Sequence, residues 1–221
     1  LLHGVLMELL SSEVQDMLHT MNNYSPLKQR LLLDKKEANW EIVSLLPAIG
    51  NQLVSLFENR KEIMIEYHQQ KVDLLSIEVE LIDIKELMKT YLNMNEAKKY
   101  ISLKLLTPTS FKSKGQYDIF PETTKIFRSI MLMFDEFNDE HHLFDRDTLH
   151  FIENNIKIID YRLRSTRFHV EGVKIPSFIG EIRLKVNGPP QLVKFVHFLL
   201  AYGTYSGIGI KTSLGMGKYL I

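Results

Sequence analysis

The chain of 221 residues is long enough for one large domain or two small ones, and its 45% hydrophobic and 24% charged residues are typical of a globular protein. It contains no cysteine, which excludes disulfide bonds, thiolate zinc sites and cysteine nucleophiles. It has no apolar run of about 18 residues and no signal-peptide pattern, so we expect a cytoplasmic protein.

Charge is distributed unevenly along the chain, although the net charge is zero. Residues 1–100 carry 11 Lys and Arg against 15 Asp and Glu, whereas residues 157–221 carry 10 against 3. A basic final third favours a ligand rich in phosphate, and a solvated surface is the alternative.

The first half predicts helices and hairpins in alternation. The apolar run Leu1–Leu10 predicts a helix, and Ser12 with Gln15 has the spacing of a capping box for a second helix, SEVQDMLHT. Two strands follow across a charged turn at Asp34–Glu37. Next come a helix in PAIGNQLVSLFENR, strands in KEIMIEYHQQ and KVDLLSIEVELI, and a helix in DIKELMKTYLN.

The second half predicts a similar order. KYISLKLLTPTSF predicts a strand, and PETTKIFRSIMLMFDEF and DRDTLHFIENN predict two helices. KIIDYRLRSTRFHV and IPSFIGEIRLKV predict a long hairpin that turns at Glu171 and Gly172. A helix in PPQLVKFVHFLLAYG and a strand in KYLI complete the chain.

Each half matches a β-α-β-β-α-β unit, except that the first strand of the first unit is absent from this sequence. We therefore predict an α+β fold with two tandem ferredoxin-like (RRM-like) domains. The predicted domains are residues 1–97, which carry the candidate catalytic histidines, and residues 98–221, which carry a glycine-rich loop.

That loop, GIGIKTSLGMG, spans residues 207–217. It is not a Walker loop, because Ile210 separates Gly209 from Lys211, and its order of helix, loop and strand does not suit a dinucleotide fold. Glycines allow close approach of a ligand to the backbone, and the side chains between them can donate to phosphate oxygens. The predicted RNA-binding residues of the loop are Gly207, Gly209, Lys211, Thr212, Ser213, Gly215 and Gly217, and a tight turn without a ligand is the alternative.

The spacing GxGxxxxxGxG near the C-terminus resembles the glycine-rich loop of the repeat-associated RNA-processing superfamily of CRISPR systems. LHGVLMELL, YSPLKQR, TPTSFKS and GIGIKTSLGMGKY together resemble the endoribonuclease that cuts CRISPR repeat RNA in type III-like systems. The resemblance implies tandem ferredoxin-like domains, RNA cleavage without a metal or other cofactor, and retention of the product RNA. A type III-like effector complex and a homodimer are the further partners it admits.

Cleavage without a metal requires a base at the attacking 2′-hydroxyl, an acid at the leaving oxygen and positive charge near the phosphorane. Histidine suits both proton roles near neutral pH. The resemblance places the catalytic histidine shortly before the tyrosine-proline turn, which makes His19 the candidate base. His3 is the candidate acid or positioning group, and Tyr24 the candidate ribose contact. Lys28 and Arg30 are expected to neutralise phosphate charge.

Three arginines of the long hairpin are further candidates for RNA binding. Arg162 and Arg164 share one face of an ideal strand, and Arg167 lies on the other. An alternative function stays open, in which the chain is a noncatalytic RNA-binding subunit and its histidines are incidental. Cleavage of repeat RNA in EDTA would separate the two.

Overall fold

The computed structural model describes residues 1–21, 24–34, 37–170 and 172–221. Two short helices, α1 (Leu2–Leu9) and α2 (Ser12–Thr20), open the chain as predicted. The predicted capping box is wrong by one residue, since the Ser11 hydroxyl accepts the amide hydrogen of Val14 and so caps α2. Gln15 instead donates to the Leu10 carbonyl. Of two consecutive serines, either one suits a helix N-cap.

The predicted first hairpin is present. Strands β1 (Leu27–Leu33) and β2 (Ala38–Ser44) pair antiparallel, and the Asp34 amide donates to the Glu37 carbonyl across the turn. The turn residues 35 and 36 lie outside the described residues. Helix α3 (Pro47–Phe57) follows, with proline in its first turn where no amide donor is needed.

A small second hairpin precedes the last helix of this half. Strands β3 (Glu62–Ile65) and β4 (Gln70–Asp73) flank a 3-10 turn at Glu66–His68, and helix α4 (Ile84–Leu92) follows. The strand predicted in KVDLLSIEVELI is therefore correct only in its first residues. Residues 74–83 alternate like a strand but have no paired strand within the described chain, and Leu75 and Leu81 are 85% and 84% exposed.

The second half forms a four-stranded sheet with helices on one face. Its elements are β5 (Tyr100–Thr109), β6 (Phe111–Ser113), β7 (Gln116–Asp118), α5 (Thr123–Glu136), α6 (Arg146–Asn155), β8 (Ile156–Val170), β9 (Val173–Val186), α7 (Pro190–Ser206) and β10 (Tyr219–Leu220). The strand order is β10-β5-β9-β8, and β6 and β7 make a separate short hairpin. This order and connectivity are those of a β-α-β-β-α-β unit, as predicted. Residue Glu171, at the predicted turn between β8 and β9, lies outside the described residues.

The main core lies between this sheet and its helices. Along β5, Ile101, Leu103 and Leu105 are buried, whereas the alternate residues Tyr100 and Lys104 are exposed. Helices α5 and α7 bury their apolar residues against that inner face. The outer face of the sheet is therefore open to solvent around Tyr100, Lys104 and Glu181, whereas Ile175 and Ser177, farther along β9, are buried.

A smaller core lies in the first half, where Leu6, Leu10, Leu27, Ile49 and Leu53 pack together. Helix α4 does not join it, because its residues pack against the main core of the second half. The domain boundary between residues 97 and 98 falls between α4 and β5 and stays a prediction. No described helix is long and apolar enough to span a bilayer.

Candidate active site

Strand β1 presents its two faces to different parts of the molecule. Leu27 packs in the small core with helices α1 and α3, and Gln29 contacts His3 of α1. The alternate residues Lys28 and Arg30 contact the second half of the chain. The period of two in the segment LKQR thus makes β1 a connection between the candidate histidines and the glycine-rich loop.

A hydrogen-bonded chain holds His3. The Trp40 indole donates to Gln29 Oε1 at 3.1 Å, and Gln29 Nε2 lies 2.7 Å from His3 Nδ1. Because an indole N–H can only donate, the Gln29 oxygen faces Trp40 and its amide nitrogen donates to His3. His3 Nδ1 is then an acceptor, and the neutral ring carries its proton on Nε2.

His19 lies in the last turn of α2 and is exposed. Two residues outside the described chain separate Met21 from Tyr24. Tyr24 is half-buried and packs against the core of the second half, and this burial raises the pKa of its hydroxyl. Tyr24 therefore lies where the two halves of the chain meet.

Lys28 is not at the surface. Its side chain is 1% exposed, and Nζ donates to Thr212 Oγ1 at 3.0 Å and to Met133 Sδ at 3.3 Å. Burial, together with the nearby Arg30 charge, lowers the pKa of Lys28 to about 7. The prediction that Lys28 neutralises an RNA phosphate does not fit this position, because protein atoms surround the amine.

Arg30 is also 1% exposed and joins a buried ionic cluster. It donates to Glu41 Oε1 at 3.0 Å and to the Tyr205 carbonyl at 2.7 Å, and Lys218 donates to the same Glu41 oxygen at 2.8 Å. Arg30 and Lys218 also both donate to the carbonyl of Thr204, near the C-terminus of α7, where the helix dipole favours cations. Arg30 therefore joins the first hairpin to α7, and the predicted phosphate contact does not fit its buried position.

The glycine-rich loop packs against protein. A Cβ at Gly209 would overlap the carbonyl oxygen of Ser110, and one at Gly217 would overlap that of Ile208, while both residues have positive φ. The amides of Gly209 and Gly217 donate to Ser129 Oγ at 2.9 Å and to the Pro108 carbonyl at 3.0 Å. These two glycines are thus required by packing, whatever the loop binds.

Accessibility divides the other predicted residues of the loop. Lys211 is exposed, Ser213 and Gly215 are half-buried, and Gly207 and Thr212 are buried. The Thr212 hydroxyl accepts the hydrogen bond from Lys28. Among the predicted side chains of this loop, Lys211 and Ser213 are therefore the ones that a ligand can reach.

The three arginines lie on β8, an edge strand of the sheet, and all are exposed. Arg162 and Arg164 pair with Glu181 and Ile179 of β9, whereas Arg167 pairs with Pro176. The strand therefore has the alternation expected from the sequence, with Arg162 and Arg164 on the outer face of the sheet.

Sequence reasoning missed four residues of this site: Gln29, Trp40, Glu41 and Lys218. The predicted turn centred between residues 35 and 36 already implies that Arg30 pairs with Glu41, which the register confirms. Nothing in the local sequence indicates Lys218, because it joins the cluster from the far end of the chain.

This chain is similar in sequence and in structure to known proteins of one family. The family model of the CRISPR-associated endoribonuclease Cas6 matches residues 103–219. A Cas6 endoribonuclease of Streptococcus thermophilus is 34% identical over 97% of this chain and 87% of its own, and one of Mycobacterium tuberculosis is 26% identical over 98% and 69%. A solved Cas6 product complex has a TM-score of 0.82 at 18% identity, covering 98% of this chain and 90% of that one.

The structural likeness confirms the predicted α+β fold with tandem ferredoxin-like domains. The sequence matches decide between the two functions left open by the sequence, because the curated relatives are endoribonucleases over nearly the whole chain. The chain belongs to the family of the CRISPR-associated endoribonuclease Cas6 and is an endoribonuclease.

Proposed function

We propose that this endoribonuclease cuts the repeat RNA of CRISPR precursor transcripts and so releases guide RNAs. The 2′-hydroxyl attacks the adjacent phosphorus, the bond to the 5′ oxygen of the next nucleotide breaks, and 2′,3′-cyclic phosphate and 5′-hydroxyl ends result. The observation that carries the proposal is an exposed imidazole, His19, in the last turn of α2, five residues before Tyr24, which packs against the core of the second half.

His19 removes the proton from the 2′-hydroxyl in this mechanism. Its exposure lets a substrate reach the ring, and histidine titrates close to neutral pH, where a general base is most effective. No covalent intermediate with the protein is needed, because the nucleophile belongs to the RNA.

His3 positions the scissile nucleotide in this mechanism. Trp40 donates to the Gln29 oxygen, and the Gln29 amide nitrogen donates to Nδ1 of His3, so the neutral ring holds its proton on Nε2. That N–H can donate a hydrogen bond to an oxygen of the scissile phosphate and so position it, and Gln29 keeps the proton on that nitrogen. The leaving 5′ oxygen takes its proton from water, because a neutral imidazole is too weak an acid to supply it.

The positive charge that faces the RNA phosphates comes from exposed side chains of the protein rather than from the buried Lys28 and Arg30. Lys211 of the glycine-rich loop and Arg162, Arg164 and Arg167 of β8 are exposed and can contact phosphates. Lys28 and Arg30 instead position β1 against the second half of the chain.

The test is incubation of the purified protein with its repeat RNA in EDTA, followed by analysis of the product ends. A 2′,3′-cyclic phosphate supports the proposal, and binding without cleavage contradicts it. A matched RNA with a single deoxyribose immediately 5′ of the cut should bind and remain whole, since it lacks the nucleophile. Cleavage of that RNA would exclude the mechanism.

The cellular setting is a further part of the proposal. The enzyme acts in the cytoplasm of a cell with a type III-like CRISPR system, whose effector complex receives the guide RNA, and a homodimer is the proposed assembly. Copurification of tagged protein with effector subunits, and its mass in solution, test these two statements.

A further inference from the structure

The outer face of the four-stranded sheet carries a concentration of charge that packing does not explain. Helices cover the inner face, so residues that alternate with the buried ones on β5, β8 and β9 point to solvent. The register places these residues in rows across the sheet. Its cations are Lys104, Lys157, Arg162, Arg164, Arg183 and Lys185, and its carboxylates are Asp160 and Glu181.

Six cations and two carboxylates give this outer face a net charge of plus four, in a chain whose net charge is zero. Within the described parts of the chain, none of the six forms an ion pair. Lys157 and Lys185 lie directly opposite each other on β8 and β9, an arrangement that costs stability. Glu181 lies opposite both Lys104 and Arg162, and Asp160 lies opposite Arg183, but cations remain in excess, and such an excess is the electrostatic complement of a phosphate backbone.

An aromatic ring lies at one end of this charged face. Tyr100, on the central strand β5, is 49% exposed and pairs with Lys185 of β9. The Arg183 guanidinium lies 5.4 Å from the ring centroid, and Lys185 Nζ lies 5.8 Å from it. An exposed ring flanked by cations can stack on a nucleobase while its neighbours contact the phosphates on either side.

A shallow depression lies farther along the same face. Lys104, Arg162, Arg164 and Glu181 line it, and they come from three adjacent strands. Cations therefore continue from Tyr100 across the sheet to the hairpin arginines.

We infer that the outer sheet face is a second RNA-contact surface, which holds a single-stranded segment of the transcript with a base stacked on Tyr100. Arg183 and Lys185 contact the phosphates beside that base, and Lys104, Arg162 and Arg164 contact those that follow. Flexible single-stranded RNA fits better than a duplex, because only unpaired bases expose a face to an aromatic side chain.

The inference rests on the proposed function in taking repeat-containing RNA as the ligand. Four strands about 4.8 Å apart span roughly 14 Å, room for about two or three nucleotides. The surface therefore adds affinity for a short unpaired segment, and the chemistry stays with the histidines of the first half.

The first test measures binding of a short unstructured oligouridylate by fluorescence anisotropy. Tyr100→Ala should weaken binding by roughly 5- to 100-fold, the range of one base stacked on an aromatic ring, and Tyr100→Phe should retain it. Tyr67→Ala, which removes an 83% exposed tyrosine from the first half, serves as the matched control. Unchanged binding by a folded Tyr100→Ala protein would overturn the inference.

The second test uses charge. Replacing Arg183 and Lys185 with alanine should reduce the slope of log affinity against log salt by about 1.4, or about 0.7 for each lost phosphate contact. Lys61→Ala, at an exposed lysine of the first half, should leave the slope unchanged. An unaltered slope in the double variant would remove both residues from the RNA surface.

A cleavage assay separates this inference from the proposed function. The Tyr100 and Arg183/Lys185 variants should cut saturating repeat RNA at the wild-type rate and lose only affinity. Wild-type protein that binds oligouridylate through Tyr100 but cuts no repeat RNA would support the surface and refute the proposed function. Normal cleavage of repeat RNA, with an RNA affinity that does not depend on Tyr100, Arg183 and Lys185, would support the proposed function and refute the second RNA surface.

Discussion

His19 is the residue on which the proposed chemistry depends most directly. His19→Ala should lower the cleavage rate by roughly 10²-fold or more, the usual contribution of general acid-base catalysis, with RNA affinity little changed. Single-turnover cleavage at saturating enzyme measures the rate without the contribution of binding.

His68→Ala is a suitable control, because His68 is exposed on the 3-10 turn between β3 and β4. It should cut normally. Near-normal cleavage by His19→Ala would exclude His19 as the base.

The buried amine of Lys28 predicts that the free energy of unfolding depends on pH. Its pKa is about 7 in the folded protein, against an ordinary value of 10.5, so the unfolded chain binds more protons between those two values. The free energy of unfolding should therefore rise as pH increases through this window, and the cost of burying the charge is fully present below about pH 7. Each pH unit of the window contributes at most about 1.4 kcal/mol.

The comparison is with Lys28→Met, which fills similar volume without a titratable group. Chemical denaturation of both proteins at about pH 7 and about pH 9 gives the difference, and wild type should gain stability relative to the variant at the higher pH. Parallel changes in the two proteins would show that Lys28 keeps an ordinary pKa.

Between elements, the Arg30–Glu41–Lys218 cluster joins the first hairpin to α7 and β10. Glu41→Gln leaves two largely buried cations without their shared carboxylate, and we expect a loss of about 3 kcal/mol in the free energy of unfolding. Glu62→Gln, at a solvent-exposed pair with Lys71, should leave it nearly unchanged. Equal effects of the two substitutions would contradict a structural role for the cluster.

The glycine-rich loop allows packing and RNA binding to be separated. Gly217→Ala should lower the melting temperature, because its Cβ would overlap the Ile208 carbonyl. Lys211→Ala should leave the melting temperature unchanged and reduce the salt dependence of RNA binding by about 0.7 in slope, since Lys211 is exposed. Unchanged RNA affinity in Lys211→Ala would remove that lysine from the RNA site.

Local patterns in the sequence are sufficient for most elements. The helical spacing of α1 and α5, the turn signals of the first hairpin and the alternation along β8 and β9 each identify the observed structure. Residues 74–83 show why a pattern is not enough, because a strand requires a partner to complete its backbone hydrogen bonds, and alternation does not reveal one.

Across the whole molecule, sequence reasoning was weakest where distant segments meet. A basic residue predicts charge but not exposure, and Lys28 and Arg30 are buried by segments about 105 to 184 residues away. Glycine spacing likewise predicts a close approach but not its partner, which at Gly209 is Ser110. The location of His19 came from resemblance to a family, and its catalytic role stays a prediction.

The docking of β1 onto residues 204–218 has a consequence for synthesis of the protein. The partners of Arg30, Thr204 and Tyr205, are synthesised 174 and 175 residues after it, and the partner of Lys28, Thr212, is synthesised 184 residues after it. At about 5–20 residues per second, a ribosome needs on the order of ten seconds or more to supply them. Throughout that interval, the first hairpin holds two cations that it cannot bury, so the first half is completed only when the last residues of the second half emerge.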